Sequence, residues 1–425
     1  MAKSFLLTII TFLFIGLQAQ AQFTSVSFSI QAHEDDWQLF MPTKIVSDLN
    51  ISGRKIVFIT LTAGDASVGS GGYGPSSVSY FLARENGSVY SAKYVADITT
   101  GTTPLDVPTA TTVTINTHSI TKYVYKNTIN YFLRLPDGNG NGNGFSSTGN
   151  VSLEKLKTGA IGSISALGSV TATYTSWSDL TNTIQAIITA EKITGTQSWI
   201  YAAHTINGSN TTFNPNDHSD HRYSSLAAQV AASSMTWMGV AGFMDYESSA
   251  NGVNLSATDH ENASALFTLA NWGLNEAAYT SNFNTGHLGW LPIDSFQVIK
   301  TPSGTAPFAG TGGDLESSEL MKKGIKDNER SNVLSLTEIP MIVSITSPAF
   351  IDKDISMIIS PYEPGQLTTT VYDMAGNKVR DQKTTFSKRD ALFITLQQAI
   401  TAKGTYIIKN ILNDKFIETR KIVVE

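Results

Sequence analysis

The sequence predicts an α/β protein: a Rossmann-like, mostly parallel sheet with helices on both faces, followed by a linker and a small all-β C-terminal domain. Three observations predict it. From Phe23 to Gln297, short apolar runs alternate with stretches of helical periodicity, the pattern of strand–helix–strand crossovers. Residues 301–338 then lose that periodicity and gather Gly, Ser, Pro, Lys and Glu, the composition of a linker. Beyond them come short β-type runs separated by turn signals, with no helical stretch between them.

The elements follow in order. Met1-Ala2-Lys3 precedes an apolar run from Phe5 to Leu17, and Ala19-Gln20-Ala21 has the small-x-small pattern of a secretory cleavage site. A signal peptide is therefore expected over residues 1–21, and the 13-residue apolar run is too short to span a bilayer. The catalytic-type α/β domain is expected over 22–300, with strands at Val26 to Ala32, Lys55 to Thr62, Ser198 to Ala203 and Met238 to Asp245. Between these, Trp37 to Leu49, Leu180 to Ala190, Ser224 to Ala232 and Glu261 to Ala270 carry apolar residues at helical spacing. The middle is rich in Thr and Ser, with antiparallel strands expected at Thr111 to Asn116 and Tyr123 to Leu133. Asp137 to Gly144 alternates Gly with Asp or Asn and can only be a loop. Its first half fits a calcium loop, but position 12 is Thr148 where a bidentate Glu is wanted. A β-sandwich is expected over 339–425, from runs at Leu367 to Tyr372, Ala391 to Leu396, Thr405 to Lys409 and Phe416 to Val424.

Composition narrows the function. The 425 residues are 41% hydrophobic and 15% charged, with a formal net charge of −6, so nothing basic points to a nucleic-acid partner. There is no cysteine, and any metal must be held by His, Asp or Glu.

Two clusters carry chemistry. "AHEDDW", residues 32–37, ends the first expected strand, and "DHSDH", residues 217–221, opens a helix after a later one. Taken alone, the first also reads as an acidic helix start complementing the helix dipole. His218 and His221 are three apart and project from one face of a first helical turn. Both clusters lie at C-terminal ends of expected parallel strands, the edge where open α/β sheets bind ligands, so His33, Asp36 and His221 can surround one ion.

The strand followed by "AHEDDW" resembles the His-Pro-Asp-Asp-Glu element of the PIG-L/LmbE-like zinc de-N-acetylases, and "DHSDH" resembles their His-x-Asp-His element. Thr60 to Asp65, Arg84-Glu85-Asn86-Gly87, "LRLPDG" (133–138) and "TYTSWSDL" (173–180) are similar to a secreted branch of that family. The resemblance implies Zn²⁺ held by His33, Asp36 and His221, with Asp35 as general base and His218 stabilising an oxyanion or donating a proton. It implies an N-acetylated sugar or glycan as substrate and Arg84 as a substrate contact or active-site support. The bare residue reads equally as a helix-surface Arg paired with an acid. Glu34 stands where the family has proline, and Trp37 where it has an acid; Trp37 is placed to stack on a sugar ring. His204 reads as a satisfied polar side chain rather than a ligand. A non-catalytic glycan-binding protein using the same cleft, and a zinc peptidase, are the other readings.

At the C-terminus, "VYDMAGNKV", "KGTYIIKN" and "RKIVVE" resemble the sorting domains of the Bacteroidetes type IX secretion pathway. That resemblance implies a secretion-machinery partner, a secreted or cell-surface location and no stable membrane span. A carbohydrate-binding or packing β-sandwich is the structural alternative.

Overall fold

A computed structural model describes residues 23–302 except 73–75 and 171, together with 342–345, 355–359, 365–374, 377–386, 392–396, 400, 402–413 and 415–424. The expected signal peptide, and the expected linker from residue 303 onward, lie outside the described residues. No described helix is long and apolar enough to cross a membrane.

The chain opens with β1 (Ser25–Gln31), α1 (Asp36–Phe40), α2 (Pro42–Leu49) and β2 (Arg54–Thr62). The single helix expected over Trp37 to Leu49 is broken at Met41. Pro42 lacks an N–H and bars its predecessor from the helical region, so Met41 sits at φ −135°, ψ 17°, and Pro42 starts a second helix. Next come α3 (Tyr80–Thr100), then β3 (Thr111–Ile115), β4 (His118–Tyr125) and β5 (Thr128–Leu135). The run expected as one strand over Tyr123 to Leu133 is a hairpin, reversing at Lys126 with φ 47°. The two-residue turn is Lys126-Asn127, and Asn127 is the one turn-forming residue that marks the reversal within the alternation.

After α4 (Leu153–Thr158), the short ribbon β6 (Ile164–Ser165) and β7 (Thr173–Tyr174), and α5 (Trp177–Glu191), the chain returns to the sheet. It forms β8 (Ser198–Ala203), α6 (Ser219–Ala231), β9 (Met238–Phe243), α7 (Ala257–Glu276), α8 (Thr285–Trp290) and β10 (Phe296–Lys300). The eight-stranded sheet runs β10-β9-β8-β1-β2-β5-β4-β3. Its five central strands are parallel, while β10, β4 and β3 are antiparallel.

Alternate residues of the buried strands feed two cores. Val26, Phe28, Ile30, Val57 and Ile59 pack with Leu180, Ile184 and Ile188 of α5 on one face. On the other, Ile56 and Phe58 pack with Trp37, Phe40 and Ile45 and with Ala263, Leu266 and Phe267 of α7. Each large side chain so buried contributes about 1.5–3 kcal/mol. Helices therefore cover both faces, as strands buried on both sides require.

The helix α3 was not expected. It packs against α7, with a glycine from each where they meet. A Cβ on Gly87 would lie 1.9 Å from the carbonyl oxygen of Ala270, and one on Gly273 would lie 2.2 Å from that of Ala83. Its buried positions include Glu85, Gly87, Ser88 and Ser91 beside the apolar ones, so no apolar stripe reveals the helix in the sequence.

From β1 the chain moves outward through β2, then returns through α5 to β8 on the other side of β1. Strand order reverses between β1 and β8, opening a crevice at their C-terminal ends.

Toward the C-terminus the strands are β11 (Ile342–Ile345), β12 (Ile355–Ile359), β13 (Gly365–Asp373), β14 (Lys378–Phe386), β15 (Leu392–Leu396), β16 (Gly404–Leu412) and β17 (Lys415–Val424). They form two antiparallel sheets, β11-β12-β15 and β14-β13-β16-β17. The unexpected β14 is a charged edge strand, which blunts edge-to-edge pairing at the cost of an apolar signature.

Candidate metal centre

Where β1 ends, the backbone N–H groups of residues 32 and 33 leave the sheet ladder. Asp36, the first residue of α1, captures both: its Oδ2 accepts from Ala32 (3.0 Å) and His33 (2.9 Å). The carboxylate is thereby fixed with Oδ1 toward two imidazoles. That oxygen lies 3.5 Å from His33 Nδ1 and 3.3 Å from His221 Nε2, and the two nitrogens are 3.1 Å apart. A tetrahedral ion with bonds of about 2.0–2.1 Å holds its ligands about 3.3–3.4 Å apart, so this triangle has the size of one face of such a coordination sphere.

Each ring is backed by carboxylates. His221 Nδ1 meets Asp217 Oδ1 at 2.9 Å and Asp245 Oδ2 at 3.1 Å. His33 Nε2 lies 3.6 Å from Asp220 Oδ2, and neither that nitrogen nor Asp220 Oδ1 has a hydrogen-bond partner despite burial. Among the described residues, three overlapping groups could hold a metal ion: His33–His218–His221, His33–Asp137–Asp220 and Asp217–His221–Asp245. The Asp36 triangle, with its three edges at 3.1–3.5 Å, matches one face of a single ion's coordination sphere, and the acids of the other groups then orient the rings from behind.

Charge is tightly packed. Burial opposes ionisation of Asp36, yet His221 and His33 outweigh it and hold its carboxyl well below the ordinary range. Burial likewise opposes protonation of His33, but Asp36 and Asp220 raise its pKa to about 10. Burial and then the neighbouring Asp217 push Asp245 up to about 8, so this pair keeps a proton at neutral pH. Replacing both Asp217 and Asp245 by Ala is expected to weaken metal binding about 10-fold to 100-fold, measured by chelator competition. Unchanged affinity would remove them from the support of His221.

His218 caps α6: its Nδ1 accepts the Asp220 N–H at 3.1 Å, which assigns the proton of the neutral ring to Nε2. Its ring lies 4.9 Å from that of His33 and 5.2 Å from that of His221. Burial, then the adjacent His33 and His221, push its pKa down to about 2, leaving a neutral donor.

Asp35 caps α1 and stands outside the three donor groups. Its carboxylate pairs with Arg84 Nη2, whose guanidinium also donates from Nη1 to the Gly64 carbonyl at 2.7 Å. Trp37 does not line the cleft. It is 0% exposed, 4.7 Å from the Phe58 ring, with its indole N–H on Ser88 Oγ, and so cannot stack on a sugar. His204 is satisfied by Thr211 Oγ1 at 2.9 Å.

The Asp137 to Gly144 loop folds onto the centre. Gly138 N–H donates to Asp220 Oδ2 at 2.7 Å, and the Gly140 carbonyl accepts the Ser219 N–H at 3.0 Å. Sequence reasoning missed Asp137, Asp217 and Asp245 as members of the centre. It also missed Tyr246, whose ring lies 4.9 Å from His221 and stacks on Trp290. Asp245 had a readable signal, since it closes the expected strand Met238 to Asp245 at the same sheet edge.

No protein-family model matches the chain, and no curated protein matches it. Among solved structures it is similar to the CARDB domain of a Pyrococcus furiosus protein, crystallised in complex with di-metal ions. Identity is 13%, over 18% of this chain and 78% of that chain, with a TM-score of 0.14. At that TM-score the likeness carries no argument about fold or function. The buried His and Asp groups that could hold a metal ion stand on their own geometry.

Proposed function

We propose that the protein is an exported zinc-dependent hydrolase that removes an N-acetyl group from an N-acetylated amino sugar or a related amide. The observation that carries this reading is the triangle of His33 Nδ1, Asp36 Oδ1 and His221 Nε2, with edges of 3.1–3.5 Å. Two imidazoles and one carboxylate without a thiolate, spaced for a tetrahedral ion, favour zinc. Zinc held by three protein ligands acidifies water and polarises an amide carbonyl.

This chain's residues supply the rest. Asp35, beside the donor set, takes the proton of the attacking water. His218, neutral and carrying its proton on Nε2, donates toward the carbonyl oxygen as charge develops there. The parallel central strands and the crevice between β1 and β8 support a Rossmann-like reading of the domain. The C-terminal strands support the reading of a β-sandwich that addresses the protein through a secretion machinery to the cell surface or beyond.

Purified protein is expected to contain about one zinc per chain and to release acetate from an N-acetyl-hexosamine glycan, with EDTA abolishing release. Activity that survives complete zinc removal would overturn the proposal. Glycan binding without acetate release would make the protein a binding module instead.

A further inference from the structure

Glu34 lies between His33 and Asp35 and points away from the metal centre. Its side chain is 3% exposed, its Oε2 has no hydrogen bond, and that oxygen is 3.5 Å from Arg84 Nε. Burial pushes the Glu34 pKa up to about 8, with the facing Arg84 and then His33 pulling it down.

The guanidinium is engaged from three directions. Nη1 donates to the Gly64 carbonyl, Nη2 to Asp35 Oδ1, and Nε faces Glu34. Gly64 makes room for the arrangement: at φ 49° it is in the left-handed region, and a Cβ there would lie 2.0 Å from Arg84 Nη1 and 2.8 Å from Glu34 Oε2. The Asp35 side chain, 16% exposed, is the more open of the two acids. A small notch lined by Glu34, Asp35, Arg84, Asn271 and Asn282 borders the group.

We propose that Glu34, Gly64 and Arg84 form a clamp that fixes the Asp35 carboxylate, with Glu34 and Arg84 acting as one positioning unit. This rests on the reading of Asp35 as the base. Arg84, with its planar fork hydrogen-bonded to two protein acceptors and its Nε facing Glu34, is then a positioning residue rather than a substrate anchor. Glu34 closes the inner side of Arg84 opposite Asp35, and the outer acid is left facing the cleft. Removing Arg84 alone leaves the buried Glu34 carboxyl without its neighbour and Asp35 without its hydrogen-bond donor. Replacing Glu34 as well removes that stranded acid.

The test is a double-mutant cycle of Glu34→Gln and Arg84→Met in the full chain, read first by denaturant unfolding of the zinc-free protein. The unfolding constants are expected to be non-multiplicative by about 5-fold or more, the double variant being more stable than Arg84→Met alone. Multiplicative effects would overturn the clamp, and this readout needs no activity, so it stands apart from the fate of the hydrolase proposal. In the zinc-loaded protein, Arg84→Lys keeps the charge and loses the fork. It is expected to retain zinc and lose roughly 10-fold in kcat with KM within about 2-fold. A raised KM with unchanged kcat would instead make Arg84 a substrate contact. Should Arg84→Met fail to fold, Arg84→Lys with and without Glu34→Gln completes the same cycle.

Discussion

His221→Ala is expected to give a protein that no longer retains zinc and whose hydrolysis falls by more than the roughly 10²–10⁴-fold expected for loss of one acid or base group. The reason is geometric. His221 Nε2 is one corner of the donor triangle, and the remaining corners, His33 Nδ1 and Asp36 Oδ1, are 3.5 Å apart and form only one edge. Two ligands on an edge do not define a tetrahedral site. The substitution also strands Asp217 and Asp245, both buried against the lost imidazole. His221→Gln, which leaves an amide to meet those acids, therefore serves as the partner variant and is expected to lose the metal equally. Metal analysis beside circular dichroism separates loss of ligand from loss of fold. One zinc per chain in folded His221→Gln and His221→Ala would refute the ligand assignment. The same centre sets a pH dependence for the parent. Burial opposes charge on His33 and His221, but Asp36 and the acids behind each ring outweigh it, raising His33 to about 10 and His221 well above the ordinary histidine range. The metal-free site therefore holds protons at neutral pH that must leave before the rings can ligate, although His33 Nδ1 and His221 Nε2, 3.1 Å apart, have room for at most one proton between them. Zinc affinity is expected to rise from pH 6 to pH 9, with protons released on binding.

The parts of this centre that were legible in the sequence are those set by local spacing. His33 and Asp36 are three residues apart at the end of a strand, and His218 and His221 are three apart at the start of a helix, so each pair is a local fact. Apolar runs and the rule that ligands gather at the C-terminal edge of parallel strands then bring the pairs together. What was not legible depends on packing across the sheet. Asp245 backs His221 because β9 pairs with β8, an adjacency that no spacing reports. Trp37 was misplaced for the opposite reason. It follows Asp36 in sequence, but one residue along a helix turns the side chain by about 100°. Asp36 then faces the two imidazoles while Trp37 faces the core against Phe58. The break at Met41 was available from Pro42, and the hairpin at Lys126-Asn127 carried one turn-forming residue, Asn127, inside an otherwise unbroken alternation.

Asp35→Asn is expected to keep one zinc per chain and lose about 10²–10⁴-fold in kcat, with KM little changed. Zinc is retained because the Asp35 carboxylate is turned to Arg84, whereas the neighbouring Asp36, anchored by the N–H groups of Ala32 and His33, puts its Oδ1 against both imidazoles. The fold is retained because the asparagine Oδ1 still accepts from Arg84 Nη2, so the side chain stays in the same place with the same partner. What disappears is the ability to take a proton, and an isosteric loss of that one property is the cleanest separation of base from ligand. Asp36→Asn supplies the contrast. It weakens the corner that meets both His33 Nδ1 and His221 Nε2, and is expected to lose the metal along with activity. Two adjacent acids, changed in the same way, should thus fail differently, one with zinc bound and one without. If Asp35→Asn hydrolyses its substrate as fast as the parent, another group accepts the proton and Asp35 serves only to hold Arg84. If it loses zinc, the two acids have exchanged roles, and the ion sits on the Arg84 side of α1 rather than between the two imidazoles.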